Sequence, residues 1–184
     1  MGQALAEAAL AGGHEVTIVS GPVEVEYPCA AKRIDVVSTE DMLEACLNIF
    51  PHCDGMIGAA APCDYRPVKV AAGKINKTGG LLRLHLIETP DVVATLGCVK
   101  ARQWLVGFAL ETEDHRLRAI TKLERKSCDL MVLNGPEAMN SPDNRVEVIS
   151  AEGNVVGQIH GSKEAVATGI IEIIQARLIN SSSS

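Results

Sequence analysis

The order of strand-like and helix-like segments constrains the fold more than any other feature of this sequence. Five helical segments are predicted, at Met1–Ala11, Ser38–Ile49, from Thr89-Pro90-Asp91 onward, Glu113–Arg125 and Lys163–Leu178. Ser38 to Asp41 predict a capping box at the start of the second helix, and Thr89 is predicted to cap the third, with Pro90 at its first helical position. The apolar segments between them predict strands at His14–Ser20, Lys32–Val37, Gly55–Ala60, Leu82–Leu86, Gln103–Ala109 and Cys128–Asn134. Because strands joined through helices usually pair in parallel, this alternation predicts an α/β fold with helices on both faces of a sheet.

A pair of strands near the carboxyl terminus breaks the alternation. Val146–Ser150 and Val155–Ile159 are separated by the turn Glu152-Gly153-Asn154, which predicts an antiparallel hairpin. The predicted fold class is therefore a three-layer α/β sandwich with a mixed, mostly parallel sheet and an antiparallel edge hairpin. Gly55–Ala60 is apolar throughout and is expected to be a central strand. In Leu82–Leu86 the leucines alternate with polar residues, so we expect a half-buried strand there.

The composition restricts which partners the protein could bind and in which cellular compartment it could occur. The chain is 47% hydrophobic and 3% aromatic, so aliphatic residues must form its core, and its net charge of −6 argues against nucleic acid or an anionic membrane as main partner. No apolar run approaches the roughly 20 residues that span a bilayer. Six cysteines show no CxxC pair, which indicates reduced thiols in the cytoplasm, and each is interpreted as a small buried hydrophobe. They are Cys29, Cys46, Cys53, Cys63, Cys98 and Cys128.

A polar stretch from Gly58 to Lys77 leaves the carboxyl end of a predicted strand, where ligands bind in sheets of this type. In it, Asp64 could bind a ribose hydroxyl or hold Mg²⁺ against phosphate oxygens, or simply pair with Arg66 or cap the loop. Lys74 and Lys77, flanked by glycines, could close over a phosphate or belong to a solvated basic loop.

Further candidates lie on later elements. Lys122 and Lys126 share a helix face and could reach a triphosphate or be surface charges. Phe108, beside Gly107, could stack on a base or belong to the core. The sequence contains no dinucleotide-binding GxGxxG motif, which makes a nicotinamide-dependent oxidoreductase improbable. It also shows no Ser–His–Asp, Cys–His or metal-ligand spacing that would indicate a hydrolase or a metalloenzyme.

Taken together, eight segments occur in the order found in phosphopantothenoylcysteine synthetase, the amide-forming enzyme of coenzyme A synthesis, and nearly the whole chain resembles that family. The segments are Gly13–Pro22, Ala59–Ala61 with Asp64–Pro67, Lys74–Lys77, Thr89–Val92, Val106–Thr112, Lys122–Lys126, Cys128–Asn134 and Ser141–Asn144. The resemblance implies a Rossmann-like fold and a homodimer. It also implies activation of 4′-phosphopantothenate by CTP or ATP with Mg²⁺, followed by amide formation with cysteine.

The resemblance also implies roles for individual residues. Lys74 matches the family's mobile catalytic lysine, and Asp64 matches an acid near the metal and the triphosphate. The remaining matches are to nucleotide-binding positions, and they are Gly58, Ala59, Ala60, Pro90, Asp91, Val92, Val93, Phe108, Lys122 and Lys126. Two departures are local: Pro62-Cys63 replace small apolar residues, and Asn76 replaces a lysine.

A third departure concerns the start of the chain. Met1-Gly2 align with the end of the family's Ser-Ser-Gly-Lys-Met-Gly segment. We therefore expect a single synthetase domain over residues 1–180 that lacks the family's first strand, glycine-rich phosphate loop and upstream asparagine, followed by a disordered tail at 181–184. The flavin-dependent decarboxylase domain found upstream in many bacterial members is likewise outside this sequence. A rival hypothesis is a non-catalytic nucleotide-binding scaffold that kept the sheet and lost the loop.

Overall fold

The structure is a computed structural model that describes residues 1–77, 79–110, 115–134 and 144–180. Within these ranges the structure has five α-helices, and they are α1 Gly2–Ala11, α2 Thr39–Ile49, α3 Val92–Val99, α4 His115–Arg125 and α5 Lys163–Ile174. The strands are β1 Thr17–Ser20, β2 Lys32–Asp35, β3 Gly55–Gly58, β4 Tyr65–Pro67, β5 Leu86–Glu88, β6 Trp104–Leu110, β7 Leu130–Asn134, β8 Asn144–Ser150 and β9 Val155–Gly161. A 3-10 turn at Phe50–His52 follows α2, and a π-helical turn at Gln175–Ile179 follows α5.

The described part of the chain forms a main sheet of five strands in the order β3-β6-β7-β8-β9. β3, β6 and β7 are parallel, whereas β8 and β9 form the antiparallel hairpin predicted from Glu152-Gly153-Asn154. Gly153 takes a φ of 79°, the left-handed conformation that such a turn requires. Leu130–Leu133 of β7 are all buried, as expected for the middle strand. The predicted fold class, a mixed and mostly parallel α/β sheet with an antiparallel edge, is confirmed.

Two further strand pairs lie outside this sheet. β1 and β2 pair in parallel, and β4 and β5 pair antiparallel at the base of a long excursion between β3 and α3. Val19 of β1 and Ile34 of β2 pack against the same apolar cluster as Met56 of β3. The β1–β2 pair therefore shares a helix-covered core with the main sheet.

Helices cover both faces of the main sheet because neighbouring residues of its strands point in opposite directions. Leu105 faces a cluster that includes Met42 of α2, Leu96 of α3 and Leu123 of α4. Val106 faces the opposite cluster, which α1 and α5 complete. Burial of these aliphatic side chains contributes about 1.5–3 kcal/mol each, which makes the two clusters the main source of stability.

Local capping rules account for where two helices begin. Ser38 accepts a hydrogen bond from the Asp41 N–H at 3.0 Å, while the Asp41 carboxylate accepts the Ser38 N–H at 2.9 Å, which confirms the predicted capping box of α2. At α3 the prediction was wrong by two residues. Asp91, not Thr89, is the N-cap, because its carboxylate accepts the Ala94 N–H at 3.1 Å.

Other predictions are corrected by the structure. Among the described strands, β3 lies at one end of the five-stranded sheet and is only partly buried. It is therefore not a central strand. Its apolar residues are explained by the helices that cover both faces of the sheet. Leu82, Leu84 and Leu86 are exposed, and β5 includes only the last of them, so the alternation there does not reflect burial in this chain.

The cysteine interpretation was also wrong in part. Of the six free thiols, only Cys128 is buried, while Cys46 and Cys53 are half-buried and Cys29, Cys63 and Cys98 are exposed. Three predicted features lie wholly or partly outside the described residues, and they are the helix start at 113–114, most of the Ser141–Asn144 segment and the 181–184 tail. Among the described residues, no helix is long and apolar enough to cross a membrane.

Candidate functional site

The carboxyl ends of three parallel strands and the start of α3 meet at one edge of the main sheet. β3 ends at Gly58, which pairs with Gly107 of β6, and β6 continues beside β7. A Cβ placed on Gly58 would come within 2.7 Å of the Val93 side chain in the first turn of α3. The strand end that contains Gly58 and the helix start that contains Val93 are therefore in direct contact, and a larger residue at position 58 would displace the Val93 side chain.

Asp64 is attached to the segment that leads into α3. Its carbonyl oxygen accepts the Thr89 N–H at 2.9 Å, and the Thr89 hydroxyl donates to the Cys63 carbonyl at 2.5 Å. Arg66 pairs with Glu40 of α2 rather than with Asp64, so the alternative of an Asp64–Arg66 ion pair is not observed. Among the described residues, the exposed Asp64 carboxylate has no hydrogen-bond or ion-pair partner, and it is thus available to a ligand.

Lys74 and Lys77 lie in the exposed segment between β4 and β5. We call residues 65–88 the arm, because this segment leaves the sheet through β4 and returns through β5. Neither lysine is held by an ion pair with a described residue. The arm therefore presents both ammonium groups to solvent.

Lys126 reaches the start of α3 from the far end of α4. Its ammonium lies 3.1 Å from Asp91 Oδ2 and 3.2 Å from Oδ1, while Arg125 lies 3.4 Å from Oδ2. Partial burial acts to raise the pKa of Asp91, but the hydrogen bond from the Ala94 N–H and the charge and hydrogen bond of Lys126 outweigh it and lower the pKa. The carboxylate is ionised at neutral pH, and its contribution to stability is lost only when the pH falls through this lowered value.

Other predicted residues take less direct positions. Lys122 lies in the last turn of α4 and is half-buried. Phe108 is half-buried and packs against the cluster that α1 and α5 cover, so it serves the core whether or not it also contacts a base. Ala59 and Ala60 follow β3, and Pro90 and Val92 flank the Asp91 cap. Arg125 is a member of the Asp91 cluster that the sequence reasoning missed, although its position beside Lys126 was a signal.

A second polar cluster lies at the opposite edge of the sheet. The Lys100 ammonium contacts both carboxylate oxygens of Asp129 at 2.9 and 2.8 Å, and Asp129 Oδ2 also accepts the Leu105 N–H at 2.7 Å. These bonds join the end of α3 to the starts of β6 and β7. Because this edge holds the amino ends of the parallel strands, we interpret the cluster as structural rather than as part of the site.

The buried thiol beside this cluster leads to a chemical prediction. Burial raises the pKa of Cys128 to about 11 despite the nearby ammonium groups of Lys126 and Lys100. An alkylating reagent at about pH 8 should therefore modify the exposed Cys29, Cys63 and Cys98 in the folded protein and leave Cys128 unmodified. Peptide mass mapping before and after unfolding checks this, and rapid labelling of Cys128 in the folded protein would contradict the described packing.

The fold and this edge define a Rossmann-like α/β domain whose candidate ligand site lies at the carboxyl ends of its parallel strands. The chain belongs to the family described as DNA/pantothenate metabolism flavoprotein C-terminal domain, which matches residues 1–178. The resemblance to the phosphopantothenoylcysteine synthetase family is thus confirmed at the level of the domain.

Individual relatives agree with this assignment. The coenzyme A biosynthesis bifunctional protein CoaBC of Haemophilus influenzae is 35% identical over 179 residues, which cover 95% of this chain and 45% of that protein. A protein named cysteine/cysteine sulfinic acid decarboxylase, from an unknown prokaryotic organism, is 41% identical over 180 residues, which cover 95% of this chain and 50% of that protein. The chain thus spans about half the length of these relatives.

A solved structure supports the fold assignment. The crystal structure of the C-terminal domain of a CoaBC protein superposes with a TM-score of 0.79 at 32% identity, and the match covers 96% of this chain and 81% of that chain. The match therefore lies in the C-terminal part of the bifunctional protein.

Proposed function

We propose that this chain is a phosphopantothenate–cysteine ligase domain, which uses CTP or ATP to join 4′-phosphopantothenate to cysteine. The observation that carries the proposal is the convergence of three contacts at one sheet edge: Gly58 against Val93, Asp64 to Thr89, and Lys126 to Asp91. Five of these six residues, all except Thr89, match positions that the family uses to bind the nucleotide. They come from distant parts of the sequence, and only the fold brings them together.

The proposed chemistry has two steps. A carboxylate oxygen of 4′-phosphopantothenate attacks the α-phosphorus of the nucleotide, and the α–β bond breaks to release pyrophosphate. The amine of cysteine then attacks the acyl carbon of the resulting acyl-nucleotidylate, loses a proton and expels the nucleoside monophosphate. Lys74 is proposed to stabilise the negative charge that develops at the α-phosphate, because an ammonium on a closing arm can approach as that charge forms.

The nucleotide is proposed to lie across the carboxyl end of β3 and the first turn of α3. The backbone of Gly58, Ala59 and Ala60 supplies contacts along the strand end, and Pro90 to Val93 line the nucleoside pocket with Phe108. Lys122 and Lys126 are proposed to approach the phosphates from α4. The positive end of the α3 dipole favours an anion at this position, in addition to these two charges.

Magnesium fits this site only as a partner of the nucleotide. Among the described residues, no group of three or more His, Cys, Asp and Glu side chains could hold a metal ion. Mg²⁺ is commonly held by one or two carboxylates together with substrate phosphates, and the unpaired Asp64 carboxylate suits that mode. The ion would neutralise phosphate charge, while Asp64 would orient the triphosphate through it.

We further propose that residues 1–180 act as one domain in the cytoplasm. Exposed free thiols such as Cys29 and Cys98 are stable in a reducing compartment.

Pyrophosphate release tests the proposed function. The chain should release pyrophosphate from CTP or ATP only when 4′-phosphopantothenate and Mg²⁺ are present, and cysteine should then yield the amide and the nucleoside monophosphate. Nucleotide binding without turnover would support the scaffold hypothesis instead. Failure to bind either nucleotide would contradict both hypotheses.

The arm is proposed to mediate a homodimer. Its apolar side chains are exposed in the single chain, including Leu81 at 93% and Val70 at 86%, and large exposed apolar patches mark interfaces.

Light scattering should give about twice the 19.5 kDa mass of one chain. Replacing Val70 and Leu81 with glutamate should shift the protein to the monomer, whereas Val37→Glu, an exposed position outside the arm, should leave the dimer intact. A single-chain mass for the unmodified protein would contradict the proposal.

A further inference from the structure

Asp91 has more interactions than a helix cap requires. Its Oδ1 accepts the Ala94 N–H, which caps α3, and both of its oxygens also contact the Lys126 ammonium. Asp91 and Lys126 are 35 residues apart, so local sequence does not dictate their pairing. The contact joins the start of α3 to the end of α4.

The backbone around Lys126 explains how the side chain reaches this position. Ser127 has a φ of 50°, which ends α4 in a tight left-handed turn. The Lys126 carbonyl oxygen lies directly over Gly97 in the second half of α3, where a Cβ would approach it to 2.0 Å. From that point the side chain extends along α3 toward its first turn. Only 21% of the side chain is exposed, so packing and the ion pair together restrict its conformation.

The charges at this point argue against direct contact between the Asp91 carboxylate and a nucleotide. A carboxylate repels phosphate, and both oxygens of Asp91 already accept hydrogen bonds from the cap or the cations. An ammonium has three N–H groups, and the two contacts with Asp91 leave it capacity for a phosphate oxygen. A lysine that is already ordered also loses less side-chain entropy when a ligand binds.

We infer that Asp91 is a positioning residue that holds the Lys126 ammonium beside the first turn of α3, ready for the phosphates of a nucleoside triphosphate. This inference rests on the proposed function, but it assigns Asp91 an indirect role. Arg125 contributes less, because it is largely exposed and its contact is longer.

A double-mutant cycle on nucleotide binding tests this role. Asp91→Asn keeps a side-chain oxygen for the α3 cap and removes the negative charge, and Lys126→Gln removes the ammonium. CTP and ATP, each with Mg²⁺, are titrated calorimetrically into the unmodified chain, both single variants and the double variant. Asp54→Asn is the matched control, since it removes an exposed carboxylate from the opposite end of β3.

The expected results are specific. Asp91→Asn should weaken binding of the preferred nucleotide about 5-fold to 10-fold, Lys126→Gln should weaken it at least as much, and the double variant should match Lys126→Gln. Asp54→Asn should bind the nucleotide as tightly as the unmodified chain.

Tighter binding by Asp91→Asn would show that the carboxylate competes with the nucleotide and would overturn the inference. An equal loss in the Lys126→Gln background would also overturn it, because Asp91 would then act independently of Lys126. If the unmodified chain binds neither nucleotide, the proposed function fails and this role fails with it.

Discussion

Replacing Lys74 with alanine is expected to lower the rate of pyrophosphate release by at least about 100-fold, because one donor to the developing charge is lost. Lys74 is exposed in the arm, so its removal should leave the melting temperature unchanged. Nucleotide affinity should fall far less than the rate, since the lysine is proposed to act mainly on the transition state. The measurement is steady-state pyrophosphate release together with calorimetric binding of CTP or ATP.

Lys69→Ala is the matched control for this experiment. Lys69 is also an exposed lysine of the arm, so the substitution removes the same charge from the same segment. It should retain nearly the full rate. Equal losses for the two variants would indicate a general electrostatic effect of the arm, and an unchanged rate for Lys74→Ala would exclude Lys74 as the catalyst.

Replacing Gly97 with alanine is expected to lower the free energy of unfolding by at least about 2 kcal/mol. The new Cβ would meet the Lys126 carbonyl oxygen at 2.0 Å and the Ser127 Cβ at 3.2 Å, so α3 and the end of α4 would have to separate. Alanine favours a helix over glycine by roughly 1 kcal/mol, which offsets only part of this cost. For a chain of this length, the melting temperature should fall by about 4–8 °C.

Gly2→Ala is the control for the loss at Gly97. Gly2 also lies in a helix, but a Cβ there would meet no atom within 4 Å. This variant should be as stable as the unmodified chain or slightly more stable. A Gly97→Ala variant that is equally stable would contradict the close approach of α3 and α4, and with it the geometry that directs Lys126 toward Asp91.

The features that were predicted correctly from the sequence depend on neighbouring residues. The capping box of α2 requires only Ser38 and Asp41, and the β8–β9 hairpin requires only a short turn with glycine at its left-handed position. The strand–helix alternation likewise fixes the mixed parallel sheet, because few connections between parallel strands are possible. Local chemistry was therefore sufficient for the fold class.

The errors arose where distant residues decide the outcome. The apolar run of β3 does not reveal its place in the strand order, which depends on pairing with Trp104–Leu110 and not on its own sequence. The alternating leucines of the arm indicate apolar surface, but the sequence cannot show whether the same chain covers it. The error at α3 is the exception, because its cause is local: Pro90 favoured Thr89 as the cap, whereas the Asp91 carboxylate accepts the Ala94 N–H and caps the helix.

The candidate site likewise combines features that the sequence predicts with contacts that only the structure shows. Its position at the carboxyl edge followed from the order of elements, and the resemblance supplied Lys74 and Asp64. The contacts that assemble it, such as Gly58 against Val93 and Asp64 to Thr89, join segments more than 20 residues apart and became visible only in the structure. Asp64 and Arg66 are two residues apart, which suggested an ion pair between them, but Arg66 pairs with Glu40 and leaves the Asp64 carboxylate available.

Isotope transfer tests the central claim most directly. The chain is supplied with 4′-phosphopantothenate labelled with ¹⁸O in both carboxylate oxygens, together with cysteine, Mg²⁺ and CTP or ATP. Attack of the carboxylate on the α-phosphorus predicts that one ¹⁸O leaves in the nucleoside monophosphate and the other stays in the amide carbonyl, as measured by mass spectrometry. Label in inorganic phosphate, or an amide formed with unlabelled nucleoside monophosphate, would contradict the proposed acyl-nucleotidylate ligase.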